Sequence, residues 1–328
     1  MHYVLRKLGF YLVAAWAALT INFILPRLIP GNPVEVLLAR SRGQGAVPPQ
    51  EARSLELLLG LGHGNLLTRY IEYLNQLVHL NFGLSITYFP TPVTTVIAQC
   101  LPWTLVLVGT ATVMGASLGV TLGAVAGWKR SSAWVNNLIP CTTFLTAIPY
   151  FWLALVLLYL FAEIVHAFPL YGGYDASLQI GWSGHFIGSA LYHAVLPAAT
   201  IVISSVGGWL LGMRNMMVST LAEDYVMAAE AKGLPTRRIM LGYAARNAVL
   251  PSVAGFAISL GFIVSGSIVM EVVFSYPGIG YNLLLAVQND DYPLMQGIFL
   301  IISLAVLGAN LLVDLLYGFV DPRTRLSR

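Results

Sequence analysis

The chain has 328 residues, 57% of them hydrophobic and only 9% charged, with mean hydropathy +0.76 and a formal net charge of +3. Soluble domains carry about 25% charged residues, so the composition excludes a soluble enzyme or nucleic-acid-binding domain and points to an integral membrane protein. Two cysteines exclude a disulfide-stapled scaffold.

Windows of about 20 apolar residues, the length that crosses a hydrocarbon core, occur six times. They cover residues 9–29, 101–128, 134–161, 190–213, 249–274 and 293–320. Each is predicted to be helical, because backbone N–H and C=O groups cannot be left unpaired in lipid. The first begins beside Arg6 and Lys7 like a signal peptide, but it is too long and runs into Pro30-Gly31-Asn32-Pro33 rather than a small-residue cleavage site. An uncleaved first helix is expected. Residues 30–100 follow as an external segment, with a Gly/Pro-rich opening and apolar-periodic stretches at 54–61 and 67–80 that read as short surface helices. Cys100 falls at the outer start of the second window and Cys141 in the inner half of the third, far beyond the roughly 7 Å Cα limit of a disulfide. Both are expected to be buried apolar residues. Residues 129–137 make a short turn, and 166–189, rich in Gly and aromatics without a period, an external loop. The organisation is then a first helix (1–29), an external segment (30–100), a five-helix core (101–320) that includes a polar connection (214–248), and a tail (321–328).

Basic residues collect on alternate connections: Arg6 and Lys7; Lys129 and Arg130; Arg214, Lys232, Arg237, Arg238 and Arg246; Arg323, Arg325 and Arg328. The positive-inside rule makes both termini and these two connections cytoplasmic. Arg27, Arg40, Arg42, Arg53 and Arg69 stand on the other side, all but the first in one long loop where the rule loses force. The acids Glu163, Asp175, Asp290 and Asp291 fall outside.

Between the fourth and fifth windows, residues 222–251 are polar, basic and rich in helix formers. Thr220 followed by Glu223 fits a capping box, Glu223 and Asp224 suit the positive end of a helix dipole, and Lys232 suits the negative end. A helix is predicted over about 221–232. Gly233 suits the left-handed position that ends a helix, and Pro235 suits the first turn of a new one. Ala228, Ala229 and Ala231 leave the first helix without bulk, so another protein could approach its backbone closely. A solvated loop with good helix propensity accounts for these residues equally well.

Glu223-Asp224-Tyr225-Val226, Ala228-Ala229, Ala231-Lys232-Gly233-Leu234, Arg246-Asn247-Ala248 and Leu250-Pro251 resemble the EAA loop of inner-membrane permeases of binding-protein-dependent ABC importers, in the dipeptide, oligopeptide and nickel branch. Further motifs resemble that branch in order: Pro30-Gly31-Asn32-Pro33, Asn81-Phe82-Gly83 with Ser85, Ile148-Pro149-Tyr150-Phe151-Trp152, Leu196-Pro197-Ala198, the run from Glu271 through Ser275-Tyr276-Pro277-Gly278-Ile279-Gly280, and Asp321-Pro322-Arg323. Nearly the whole chain is covered. The sequence departs from the wider superfamily at Met227, where an acid six residues before the loop glycine is usual. Leu211 stands where the branch often has an arginine.

The resemblance implies an all-α integral membrane protein with the type I ABC importer permease fold, in a bacterial or archaeal cytoplasmic membrane. It implies half of a translocation pathway, completed by a second homologous permease, two ATPase subunits, an extracytoplasmic substrate-binding protein and membrane lipid. Tyr225, Ala228, Ala229, Glu230 and Gly233 are the residues expected to couple to the ATPase. No cofactor is expected in this chain. None of its lysines, Lys7, Lys129 and Lys232, sits in a phosphate-binding G-x-x-x-x-G-K-[ST] loop, so ATP and Mg are expected on the partner subunits. The commonest cargo of the branch is peptide, and nickel, glutathione and oligosaccharide are alternatives.

Acids within the spans are the other candidates, because a charge at the bilayer centre is costly and tends to face protein or a cavity. Glu271 reads either as a gate or wall of the path or as a carboxylate bonded to the turn that follows it. Asp314 reads as a path residue or as a packing residue paired with a cytoplasmic base. Asn310, Ser259, Ser265 and Ser267 read as packing contacts. His63, His79, His166, His185 and His193 form no metal-ligand spacing. Trp103, Trp128, Trp134, Tyr150, Trp152, Trp182 and Trp209 read mostly as interfacial aromatics. No nucleophile stands with paired carboxylates, which weighs against a membrane enzyme, the competing class.

Overall fold

The computed structural model describes residues 2–28, 65–263 and 268–320. The Pro30-Gly31-Asn32-Pro33 motif, the 54–61 stretch, Ser265, Ser267 and the Asp321-Pro322-Arg323 tail lie outside them. Apart from one bridge between Leu84 and Pro92, the regular structure of the described residues is helical. In chain order the helices are α1 His2–Leu28, α2 Leu66–Val78, α3 Val93–Trp128, α4 Ala133–Ala147, α5 Tyr150–Leu157, α6 Gly184–Thr220, α7 Asp224–Ala231, α8 Thr236–Arg238, α9 Arg246–Ala248, α10 Leu250–Ile263, α11 Ile268–Val273, α12 Ile279–Gln288 and α13 Tyr292–Val320. Wider π turns extend α5 over Leu158–Ile164 and join α8 to α9 over Ile239–Ala245.

Four of these helices are long and apolar enough to cross a membrane, and α4 with the extended α5 makes a fifth if counted as one span. The chain is therefore a multi-pass membrane protein. The third window is not the straight helix expected over 134–161: it bends by 97° between Ala147 and Tyr150. Pro149 supplies no N–H and its ring keeps Ile148 out of the helical region, at φ −76° and ψ 124°. The fifth window is seen in two pieces, α10 and α11, on either side of residues 264–267. Cys141 is exposed rather than buried, whereas Cys100 is buried, and both are free thiols.

The helices form two compact units, Met1–Thr104 with Val264–Val272 and Pro277–Arg328, and Leu105–Ile263 with Val273–Tyr276. In the first, α1 and α13 run antiparallel, because Lys7 Nζ meets Asp314 Oδ2 at 2.6 Å while Asn22 Nδ2 donates to the Gln296 carbonyl at 2.8 Å. The expected surface helix at 67–80 is α2. It lies on α1 through a 2.8 Å hydroxyl contact of Thr20 with Tyr70 and through the Phe23 ring, which packs on Tyr70 and Tyr73. A core of Val93, Ile97, Ile279, Leu283, Leu294 and Ile298 joins the start of α3 to α12 and α13.

In the second unit, α6 is the centre. Its 37 residues, at 1.5 Å each, make about 55 Å of helix, well beyond a hydrocarbon core of roughly 30 Å. Gly115, Gly119, Gly123 and Gly127 recur every fourth residue on α3 and face α6. A Cβ would meet Ser205 Oγ at 2.5 Å from Gly115, and the Val206 carbonyl at 2.7 Å and the Trp209 Cβ from Gly119. At Gly123 it would meet the Leu210 carbonyl, and at Gly127 the Met217 Cβ. Helices in lipid associate by van der Waals contact rather than by expelling water, so such small-residue faces set how closely two backbones pack. Trp209 thus packs against α3 and Phe256. Outside the helices, the 166–183 loop is organised by Asp175, whose Oδ1 accepts from the Ser177 N–H at 2.9 Å, a bond that holds this carboxyl below its usual range.

Gly119→Leu should destabilise the protein, with overpacking of this kind costing about 1–3 kcal/mol or more where backbone blocks relaxation. Gly188→Ala, at a position with open space, should not. Thermal unfolding in detergent checks both, and an unchanged Tm in Gly119→Leu would contradict close α3–α6 packing.

Candidate functional site

The polar connection is a helix, a sharp turn and a second helix. α6 continues to Thr220, which is helical and buried, so Thr220 does not cap α7 as its spacing from Glu223 suggests. The cap position is Glu223, whose side chain makes no capping bond, and α7 starts at Asp224. Asp224 lies in the first turn, where the helix dipole favours an acid. The far end follows the expectation closely. Gly233 has φ +70°, its N–H donates to the Glu230 carbonyl at 2.9 Å, and Leu234 N–H donates to the Ala229 carbonyl at 3.3 Å. This is the Schellman arrangement, in which a left-handed glycine satisfies carbonyls at a helix end. Pro235 then occupies the cap position of α8.

One face of α7 is fastened to the rest of its unit. Val226 and Ala229 are buried with Ile239, and Leu221, Leu234, Trp128 and Tyr243 pack around them. The returning segment presents Ala244 and Ala248 to Ala124, Met213 and Met217, at the ends of α3 and α6. The opposite face is open: Tyr225, Met227, Ala228 and Glu230 are exposed, and so is Gly233. Of the five residues expected to contact an ATPase, the structure therefore puts four outside and turns Ala229, only 3% exposed, into the chain's own core. Three alanines in four positions do not say which one faces inward; Val226 and Ile239 decide it.

The two acids within the spans are both engaged. Glu271 is fully buried and accepts from Thr104 Oγ1 at 2.7 Å and Gly280 N–H at 2.6 Å, with a longer approach of Tyr281 N–H at 3.4 Å. Thr104 Oγ1 in turn accepts from the Ile279 N–H at 2.8 Å. A Cβ at Gly278 would collide with this carboxylate. Glu271 is thus the carboxylate bonded to its following turn, and it lines no open path in this structure. Asp314 accepts from Lys7 Nζ and, at 2.8 Å, from the Tyr11 hydroxyl, so it joins α1 to α13 as a packing residue paired with a base. Among the described residues, no cluster of three His, Cys or acidic side chains could hold a metal ion.

Residues 119–326, more than half the chain and all of this element, match the family described as binding-protein-dependent transport system inner membrane component. The chain belongs to that family. It is similar along its full length to curated permeases: 31% identical to the di/tripeptide transport system permease protein DppB of Pseudomonas aeruginosa, covering 100% of both chains. It is 29% identical to the dipeptide transport system permease protein DppB and to the oligopeptide transport system permease protein OppB of Escherichia coli, with 99% of each chain covered. The protein is accordingly a transport permease, a membrane component rather than an enzyme.

Two features of this permease escaped the sequence reading. The four-residue glycine period on α3 was a legible signal. Asp291, counted only as an outside acid, is fully buried: it accepts from Ser85 Oγ at 2.5 Å, Thr87 N–H at 2.8 Å and Leu294 N–H at 3.0 Å. An Asp one residue before Tyr292-Pro293 is a helix-start signal that could have identified it as the cap of α13.

Because nothing in this chain lies within 4 Å of a Cβ at Gly233, substitutions there act on the chain's own fold through the backbone alone. Left-handed geometry costs an L-residue about 1–2 kcal/mol, is easiest for Asn and worst for β-branched side chains. Gly233→Asn should retain ATP-driven uptake and Gly233→Val should lose most of it, as measured in vesicles. Equal uptake by the two variants would contradict a role for the turn.

Proposed function

We propose that this chain is the permease subunit that forms half of the translocation pathway of an ATP-driven importer of di- and oligopeptides. The observation that carries the reading is the end-to-end likeness, at 29–31% identity, to relatives named as dipeptide, di/tripeptide and oligopeptide permeases. Six spans with both termini cytoplasmic accord with the alternation of basic connections and with the apolar character of α10, and the setting is a bacterial or archaeal cytoplasmic membrane. The partners are a second homologous permease, two ATPase subunits that hold ATP and Mg, and an extracytoplasmic binding protein.

The coupling loop, 220–251, delivers the energy. The exposed face of α7, with Tyr225, Ala228, Glu230 and the Gly233 turn, meets the ATPase. Its inner face, through Val226 and Ala229, ties that contact to the ends of α3 and α6. An ATPase that binds one arrangement of these helices better than another when it closes around ATP shifts their balance, and only such differential affinity can do so. Met227 leaves the usual superfamily acid position without charge, so Glu230 supplies the ionic contact on this side.

Reconstitution with the partner subunits tests the reading. Binding protein loaded with di- or tripeptide should stimulate ATP hydrolysis severalfold over unloaded binding protein. Stimulation by nickel-, glutathione- or oligosaccharide-loaded protein alone would overturn the cargo, and turnover of a substrate by the isolated chain would overturn the class.

A further inference from the structure

We infer that Glu271, the segment from Pro277 to Gly297 and the stretch from Asn81 to Thr104, all within the first compact unit, form one preassembled block, closed by two buried carboxylates, that keeps its internal geometry throughout the transport cycle. The inference rests on the transport function proposed above and adds a statement about which part of the permease does not move.

The observation behind it is where the two fully buried acids of this region place their bonds. α12 has ten residues, too few to cross a membrane, and stands between two breaks in the chain. At its start Glu271 accepts from Gly280 N–H, and the Thr104 hydroxyl donates to Glu271 while accepting from Ile279 N–H, so the first turn is tied to α3 directly through Ile279 and to the Thr104-bonded carboxyl of α11 through Gly280. Just past its end Asp291 binds Leu294 N–H in α13 and reaches across to Ser85 and Thr87. Between the two clasps, the Tyr88 hydroxyl donates to Asn282 Oδ1 at 2.8 Å. The loop that carries Ser85 and Tyr88 is itself closed: Ser85 N–H donates to the Thr91 carbonyl at 2.9 Å, and Val93 N–H to the Gly83 carbonyl at 3.0 Å. The apolar side chains between these bonds are fully or nearly buried, among them Val93, Ile97, Ile279, Leu283 and Ala286.

Moving α12 away from the start of α3 and the loop before it would part Glu271 from Thr104 and Asp291 from Ser85 and Thr87, leaving buried carboxyl oxygens and backbone N–H groups without partners. A buried polar group that loses its hydrogen-bond partners pays its full desolvation cost. The glycines agree: a Cβ at Gly280 would meet Ile268 Cα at 2.5 Å, and one at Gly297 would meet Val93 Cγ1 at 2.6 Å, so this packing leaves no room for sliding. Rearrangement in transport is therefore taken up outside the block, which travels as a unit.

Covalent bridging tests this directly in the complete importer. Tyr88→Cys with Asn282→Cys, in a background where Cys141 is replaced by Ser, is bridged by a bifunctional methanethiosulfonate linker of matching length. Peptide uptake and peptide-stimulated ATP hydrolysis are then compared in the bridged and reduced states. Bridged protein should work within about twofold of reduced protein, a difference worth under about 0.5 kcal/mol. Loss of uptake on bridging, restored by reduction, overturns the block. Absence of ATP-driven peptide uptake in unsubstituted importer overturns the functional reading and the inference with it. If the first pair does not assemble, Val93→Cys with Gly297→Cys, whose Cβ positions suit a direct disulfide, gives the same two readings for the start of α3 against α13.

Discussion

The contact on which the second unit depends is the glycine face of α3 against α6. With no side chain at Gly115, Gly119, Gly123 or Gly127, the α6 backbone and its Cβ atoms come within van der Waals reach of the α3 backbone. In lipid this closeness is the main source of affinity between helices, since tails are as apolar as the side chains they would cover. It also sets the rest. The ends of the two helices, at Trp128 and Met217, form the bed on which Ala244 and Ala248 lie, and Trp128 reaches on to the cluster under α7. Under the proposed coupling, a displacement of α7 is delivered to a tightly packed helix pair rather than dissipated in a loop.

The end of α7 serves the same purpose by different means. Its carbonyls are satisfied locally by Gly233 and Leu234 N–H groups, so the turn is defined without help from a partner. The element proposed to meet the ATPase therefore presents a fixed shape, and association need not order it first, which reduces the entropy cost of binding. The family's loop glycine has a physical explanation here in the +70° φ at Gly233 rather than in crowding, because the space around it is open.

How much of this was legible in the sequence depends on whether a residue's role is local. The apolar windows, the surface helix at α2, the dipole-favoured Asp224, the left-handed Gly233 and a new helix begun beside Pro235, which sits at its cap rather than in its first turn, follow from neighbours a few residues away. Thr220 misled because a Ser/Thr with a Glu three positions on has the pattern of a capping box, whereas α6 simply has not ended there. Ala229 could not be told from Ala228 without Ile239, and the functions of Glu271 and Asp291 depend on Thr104 and Ser85, each more than 160 positions away. The Ile148-Pro149 bend was available from proline chemistry alone, but the unbroken hydropathy across it conceals the break.

The central claim is that the open face of α7, and not its inner face, meets the ATPase. Cysteine scanning of α7 in the assembled importer, with short thiol cross-linkers to the ATPase subunit, tests it most directly. The account predicts nucleotide-dependent cross-links from Tyr225→Cys, Ala228→Cys and Glu230→Cys and none from Val226→Cys or Ala229→Cys. Cross-links from the buried pair, or none from the exposed three, would contradict it.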